Sequence, residues 1–195
     1  SGVEGAADLL RQLGPLSARE LAERLRPESV EPEPATSDRS AEHRPAEPPA
    51  SEEYARELAE RLVHARRAYS FEGPGTPESG PQLYYAAVED AARLRDGLGI
   101  MPAAALPLAF LEPVAEPLED LVSRFARTHI PFGVHEAAAH FSRLTPVGTG
   151  VLLPVLLRLQ RQRRVTSGEF LPEVMRGASE RAEGPGGSPE WVEVQ

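Results

Sequence analysis

A short run, Phe125-Ala126-Arg127-Thr128-His129-Ile130-Pro131-Phe132, restricts what this chain can fold into more than any other. It closes one helical pattern, turns tightly at Pro131 and leads into two further helical patterns. Then comes Arg163-Arg164-Val165-Thr166-Ser167-Gly168-Glu169-Phe170, a β-prone run that opens a hairpin. Helix, turn, helix, apolar helix, hairpin is the order of a winged helix-turn-helix unit, whose third helix commonly enters a nucleic-acid groove. The pattern predicts a binding module rather than a catalytic one.

The same pattern occurs twice. Gly14-Pro15-Leu16-Ser17-Ala18-Arg19-Glu20-Leu21 lies over Ile130-Pro131-Phe132-Gly133-Val134-His135-Glu136-Ala137. Each copy follows an apolar helix and places Pro before a short helix. Ser17 and Glu20 form an S-x-x-E capping box in the first copy, which the second lacks. The third helix of the first copy shows Tyr54, Leu58, Leu62 and Ala65 at helical spacing, with Ser51 as N-cap and Glu52 and Glu53 at the positive end of the dipole. That of the second runs from Thr149 to Arg163, with Val151, Leu152, Val155, Leu156 and Leu159 on one face and Pro154 in the first turn. Arg-Arg and a β-prone run follow each helix, and the returning strands are Leu83 to Val88 and Glu190 to Val194. The expected fold is mainly α with small β-hairpins (α+β), two winged helix-turn-helix units in tandem.

Composition narrows the function. All 21 basic residues are Arg, so a phosphate-binding loop ending in Lys and a Schiff-base amine are both ruled out. The chain has no Cys, which excludes disulfides, thiolate metal sites and a Cys nucleophile. No run approaches the roughly 20 apolar residues of a membrane span, and Ser1-Gly2-Val3-Glu4 does not open a secretion signal. A cytoplasmic location with no membrane partner is expected. The lack of an initiator Met reads as a piece of a larger protein.

The net charge of −9 argues against a polyanionic partner until its distribution is considered. Residues 27–53 carry eight acids and two Arg, and residues 173–195 carry five acids and two Arg, which together hold the whole excess. Within 118–172 seven Arg face four acids, so only the second unit is mildly cationic. Residues 27–50 are rich in Pro, Glu, Ser and Ala and read as a disordered acidic insertion; residues 172–189 read as a long flexible wing loop. The expected division is a first unit over 4–98, an apolar Pro-rich connector over 99–117 and a second unit over 118–195. In the first unit, Glu89 to Asp96 reads as a short helix ended by Gly97 or Gly99.

Beyond the pattern, the chain resembles the Lhr-type large ATP-dependent DNA helicases in their non-catalytic region past the ATPase core. The resemblance rests on Val88-Glu89-Asp90-Ala91-Ala92-Arg93-Leu94-Arg95-Asp96, Phe110-Leu111-Glu112-Pro113-Val114, Pro117-Leu118-Glu119-Asp120-Leu121-Val122, Arg127-Thr128-His129-Ile130-Pro131-Phe132 and Gly168-Glu169-Phe170. It implies a parent protein that moves 3′-to-5′ along single-stranded DNA and acts in DNA repair. The parent's ATP and Mg would lie elsewhere, with no cofactor in this segment. Implied partners are DNA, as single strand or duplex junction, and neighbouring modules of the helicase.

The residues expected to meet DNA are Thr149, Arg158, Arg161, Arg163 and Arg164, at the start, outer face and end of the second unit's third helix. Guanidinium groups suit phosphate because they stay charged and donate two bonds at once. The bland alternative is that any solvent-facing helix needs charges. His135 and His140 resemble half of a zinc motif, but residues five apart lie about 140° apart on a helix and cannot grip one metal. His129 is expected to pack or hydrogen-bond at the turn, and Trp191 to close a core rather than stack on a base. No catalytic residue and no metal ligand are expected. The rival reading keeps the fold but has its recognition face meet protein as a scaffold; a small transcription regulator is a third.

Overall fold

The structure, a computed structural model, describes residues 2–25, 50–102, 106–129, 131–168 and 190–193. The acidic insertion expected at 27–50, apart from Ala50, and the wing loop expected at 172–189 lie outside the described residues. The first half runs α1 (Gly2–Leu13), β1 (Leu16–Ser17), α2 (Ala18–Arg24), α3 (Glu52–His64), β2 (Ala68–Gly73) and β3 (Gln82–Ala87). A 3-10 turn and α4 (Ala91–Leu98) follow, and a second 3-10 turn spans Leu108–Phe110. The second half repeats the order: α5 (Pro117–Thr128), β4 (Phe132–Gly133), α6 (Val134–Ser142), α7 (Thr149–Arg161), β5 (Val165–Gly168) and β6 (Glu190–Glu193). Each half carries a three-stranded antiparallel sheet, in the orders β1-β3-β2 and β4-β6-β5.

Local chemistry explains most of the boundaries. Ser17 caps α2 by accepting from the Glu20 N–H at 3.3 Å, while Glu20 Oε2 accepts from the Ser17 N–H at 2.8 Å, the expected reciprocal box. Ser51 caps α3 by accepting from the Tyr54 N–H at 3.1 Å. α6 begins at Gly133 without a side-chain cap. Gly99, at φ 69°, ends α4 in the left-handed conformation that glycine adopts without strain, so Gly99 and not Gly97 is the stop. The two-residue strands β1 and β4, which the sequence read as turns, supply each sheet's third strand by pairing Leu16 with Tyr85 and Phe132 with Trp191.

Apart from Glu72 and Leu83 toward the hairpin end, β2 and β3 bury side chains on both faces. Side chains alternate across a strand, so Ala68, Tyr85 and Ala87 face a smaller core built with Leu10, Leu21, Leu58 and Leu62 from α1 to α3. Tyr69, Phe71, Tyr84 and Ala86 face the other way into a larger core that includes Leu94 of α4, Phe125 of α5, Phe141 of α6, Leu156 of α7 and Trp191 of β6. The first half's sheet is thus part of the second half's core. Leu106, Phe110 and Leu111 of the connector pack partly buried against this larger core.

Polar locks reinforce the join. Arg143, at the end of α6 and 7% exposed, donates to Glu20 Oε2 at 2.8 Å and to the Pro15 carbonyl at 3.1 Å. Its guanidinium carbon sits 5.3 Å from the centre of the Tyr84 ring. Glu20 therefore serves the α2 cap and the interface at once. At Gly73 a Cβ would lie 2.7 Å from the Arg143 carbonyl oxygen and 2.9 Å from the Tyr84 ring, so only glycine permits this approach. Asp90 and Arg124 form a second lock, two hydrogen bonds of 2.6 and 2.7 Å between the start of α4 and the middle of α5.

Some expected faces need correction. The buried stripe of α7 is Leu152, Val155, Leu156 and Leu159, whereas Val151 is 52% exposed. At 100° per residue, Val151 falls about a quarter-turn from the centre of that stripe. α7 ends at Arg161, and Pro154 sits inside it rather than in its first turn. Pro154 is exposed and its i−4 residue, Gly150, is exposed too, so the carbonyl it leaves unbonded can meet water. On α3 the buried set is Ala55, Leu58, Ala59 and Leu62, with Tyr54 half-buried and Ala65 exposed.

His129 accepts or donates at Nδ1 with Thr128 Oγ1 (2.9 Å) and lies 3.2 Å from the Phe125 carbonyl, its ring stacked on Phe125 at 4.1 Å, so it packs at the turn as expected. His140 is half-buried, with its ring 4.6 Å from Phe125, 5.3 Å from His129 and 5.0 Å from Phe141. Burial, helped by Arg143, His129 and Arg24, pushes its pKa down from 6.5 to about 2. Below pH 6.5 the unfolded chain therefore binds a proton at this position that the folded chain refuses.

Two outcomes follow. Arg143→Ala will lower the free energy of urea unfolding by about 2–3 kcal/mol, because it strips a charge-assisted pair and a buried carbonyl of their donor. Stability will fall as pH drops through 6.5 toward acid, and His140→Phe will lessen that slope by up to about 1.4 kcal/mol per pH unit. A slope unchanged in His140→Phe, measured by urea unfolding at several pH values, would contradict the second expectation.

Candidate nucleic-acid interface

The expected contact residues do not form one surface. Thr149 is half-buried in the first turn of α7, and Arg161 ends the same 13-residue helix, about 18 Å away at 1.5 Å per residue. Arg158, though exposed, is engaged by carboxylates of α5 and the residue before it: its Nη1 donates to Glu116 Oε2 at 3.2 Å and its Nε lies 2.9 Å from Glu119 Oε1. Glu119, 3% exposed in the first turn of α5, requires such partners, and Gln162 donates to its other oxygen at 3.3 Å. No spacing in the sequence announced this pairing.

The outer face of α7 is otherwise apolar. Leu153 is 39% exposed and Leu157 45%, beside the exposed Val151 and Pro154. α3 presents exposed Glu53, Glu57 and Glu60, and its Arg56 is paired with Glu52 at 2.8 Å. Neither third helix therefore offers a cationic stripe along its length.

Positive charge collects instead where α7 ends. The Arg163 N–H donates to the Gln160 carbonyl and the Arg164 N–H to the Leu159 carbonyl, both at 2.9 Å. This pair of bonds is a Schellman motif, and it holds Arg163 at φ 59°. The first half ends α3 identically: Arg66, at φ 57°, bonds Val63 and Arg67 bonds Leu62. A non-glycine residue in this conformation costs about 1 kcal/mol. Both halves thus place an arginine where glycine would be easier.

The side chains then diverge. Arg67 is taken up by Glu4 through bonds of 2.6 and 2.8 Å, which lower the Glu4 carboxyl's pKa and raise that of Arg67. Arg164 instead donates to the Ser123 hydroxyl at 2.8 Å. Arg161 and Arg163 are exposed and have no ion pair among the described residues. Of the five expected residues, the structure brings together Arg161, Arg163 and Arg164. Trp191, 1% exposed, closes the core beneath β4 and β5 and is not available to stack on a base.

Residues 1–113 match the family model described as large helicase-related protein, winged-helix domain. The chain is 32% identical over 171 residues, 88% of its length, to a protein of Mycolicibacterium smegmatis named Lhr helicase/probable uracil glycosylase. It is 32% identical over 161 residues, 83% of its length, to the Lhr helicase/uracil glycosylase of Escherichia coli. The matched stretch spans 9% and 8% of those two relatives. Family match, repeated helix–turn–helix order and small antiparallel sheets agree: the chain belongs to the large helicase-related (Lhr) family, as a winged-helix segment.

Proposed function

We propose that this segment positions DNA within a large ATP-dependent 3′-to-5′ DNA helicase engaged in repair. It does so as two winged-helix units locked into one block. Supporting a second unit beyond residue 113 is the identical element order of the two halves and their matching sheet orders, β1-β3-β2 and β4-β6-β5. The division in this reading is a first unit over 4–98, a connector over 99–117 and a second unit over 118–195, with α4 as the splint between them, since Ala91, Leu94 and Leu98 share the larger core. ATP and Mg belong to the motor elsewhere in the parent. A repair role accords with the glycosylase in the relatives' names. A cytoplasmic site of action accords with the described residues, in which no helix is long and apolar enough to cross a membrane.

One observation carries the DNA contact: Arg161, Arg163 and Arg164 cluster at the base of the second wing with no carboxylate partner among the described residues. Thr149 and Arg158 stand outside that cluster, Thr149 by distance and Arg158 by its ion pairs. In this reading the strand, single or at a duplex junction, meets the end of α7 and the wing rather than the length of the helix. The second reading, a protein scaffold, is favoured by the apolar outer face of α7, where Val151, Leu153 and Leu157 are exposed. On that reading neighbouring modules of the helicase would cover the face.

Replacing Arg163 with Gly separates side-chain function from backbone strain. Arg163→Gly will leave thermal stability unchanged or raise it by up to about 1 kcal/mol. Combined with Arg161→Gln, it will weaken binding to a labelled single-stranded oligonucleotide and lessen the slope of log affinity against log salt by about 1. Unaltered affinity and slope in this double variant would favour the scaffold reading.

A further inference from the structure

Between the two halves lies an open cleft of about 330 Å³ whose walls are charged rather than apolar. Five guanidinium groups line it, from four places in the chain: Arg11 lies in the last turn of α1, Arg93 on α4, Arg124 and Arg127 on α5, and Arg164 follows α7. Three carboxylates, Glu89, Asp90 and Asp120, share the lining, so the formal balance is +2. The pairing is uneven. Asp90 is satisfied by Arg124 through its two short bonds. Arg93 stands between Asp120 at 3.3 Å and Asp90 at 3.7 Å, and Arg11 between Asp8 at 3.2 Å and Glu89 at 3.5 Å. Among the described residues, the Arg164 side chain has only the neutral Ser123 hydroxyl.

Five guanidiniums converging against three carboxylates raise the local positive potential, and partly buried walls of protein screen it less than bulk water would. Planar guanidiniums from several directions match the oxygens of a phosphate, each able to donate two bonds. The volume sits at the small end of ligand pockets, about 300–1,000 Å³, enough for a phosphate and its sugar but not for a duplex.

We infer that this cleft is a seat for a backbone phosphate of a single nucleic-acid strand, shaped by Arg164, Arg11 and Arg93 and existing only because the two halves are docked. It rests on the DNA-positioning reading, and extends it from the exposed wing base into the junction through Arg164, which belongs to both. Arg124 is the positioning residue: its bond to Asp90 fixes the cleft floor and cancels the charge that would repel phosphate.

The test has two arms. In the unsubstituted protein, the guanidinium Nε–H resonances of Arg11 and Arg164 are followed by NMR during titration with inorganic phosphate and, separately, with an oligodeoxythymidylate. Both ligands are expected to shift them saturably, phosphate weakly and the strand more tightly. In parallel, Arg11→Gln/Arg164→Gln is compared with Arg161→Gln/Arg163→Gly for oligonucleotide affinity against salt. The cleft variant should lose roughly tenfold in affinity and about 1 in salt slope. Full affinity in the cleft variant together with loss in the wing-base variant would overturn the cleft while sparing the DNA-positioning reading. Resonances that move with phosphate but not with the strand would also overturn it, showing a seat for a free anion. Resonances that move with neither would remove the seat altogether, whatever the variants do.

Discussion

A sheet with no free face governs this molecule. β3 lies between β1 and β2 and turns Tyr85 and Ala87 toward one core and Tyr84 and Ala86 toward another. Neither half can be removed without exposing large side chains, Tyr69, Phe71 and Tyr84 on one side and Phe125, Phe141 and Trp191 on the other. Each such aromatic exposed would forfeit about 2–3 kcal/mol of burial, more than a marginal domain of this size can lose several times over. Arg143 sets the register of the join. Its guanidinium reaches the cap of α2, the carbonyl of Pro15 and the face of Tyr84 in one position, which a sliding interface could not keep.

From that join the distribution of charge follows. Docking brings α1, α4 and α5 together so that arginines scattered from 11 to 164 line one cleft. It also decides which arginines are used up. Arg158 neutralises the buried Glu119, Arg143 the interface and Arg124 the buried Asp90. Arg161, Arg163 and Arg164, at the base of the second wing and the mouth of the cleft, keep no carboxylate partner among the described residues. A net charge of −9 is therefore compatible with a nucleic-acid partner, because the relevant charge is local and the field of exposed acids fades within about 10 Å in salt.

Elements specified by local chemistry were legible in the sequence. Ser17 with Glu20 and Ser51 with its following acids marked two helix starts, and the repeat exposed the helix–turn–helix order. The lone Trp191 read as a core residue by its apolar bulk. Features that depend on distant partners were not legible. Glu20 and Arg143 are 123 residues apart, and nothing distinguishes Arg143 from twenty other arginines until the halves meet. β1 and β4, at two residues each, are too short for an alternating pattern to register. On α7, seven of the residues from Val151 to Leu159 are aliphatic, so periodicity could not separate the buried stripe from the exposed one, and Val151 fell on the wrong side. The proposed contact residues were harder still: spacing put Arg158 alongside Arg161 on the outer face of α7, and only the fold showed that Arg158 is paired with Glu116 and Glu119.

The central claim is that the two halves unfold as one. Trp191 is the sole tryptophan and is buried in the second half, so its fluorescence reports that half, while far-ultraviolet circular dichroism reports the helices of both. Urea unfolding followed by the two signals should give a single transition with coincident midpoints and slopes. Separate midpoints, with helix signal lost before or after the tryptophan signal, would show that the halves are independent and that the shared sheet does not bind them.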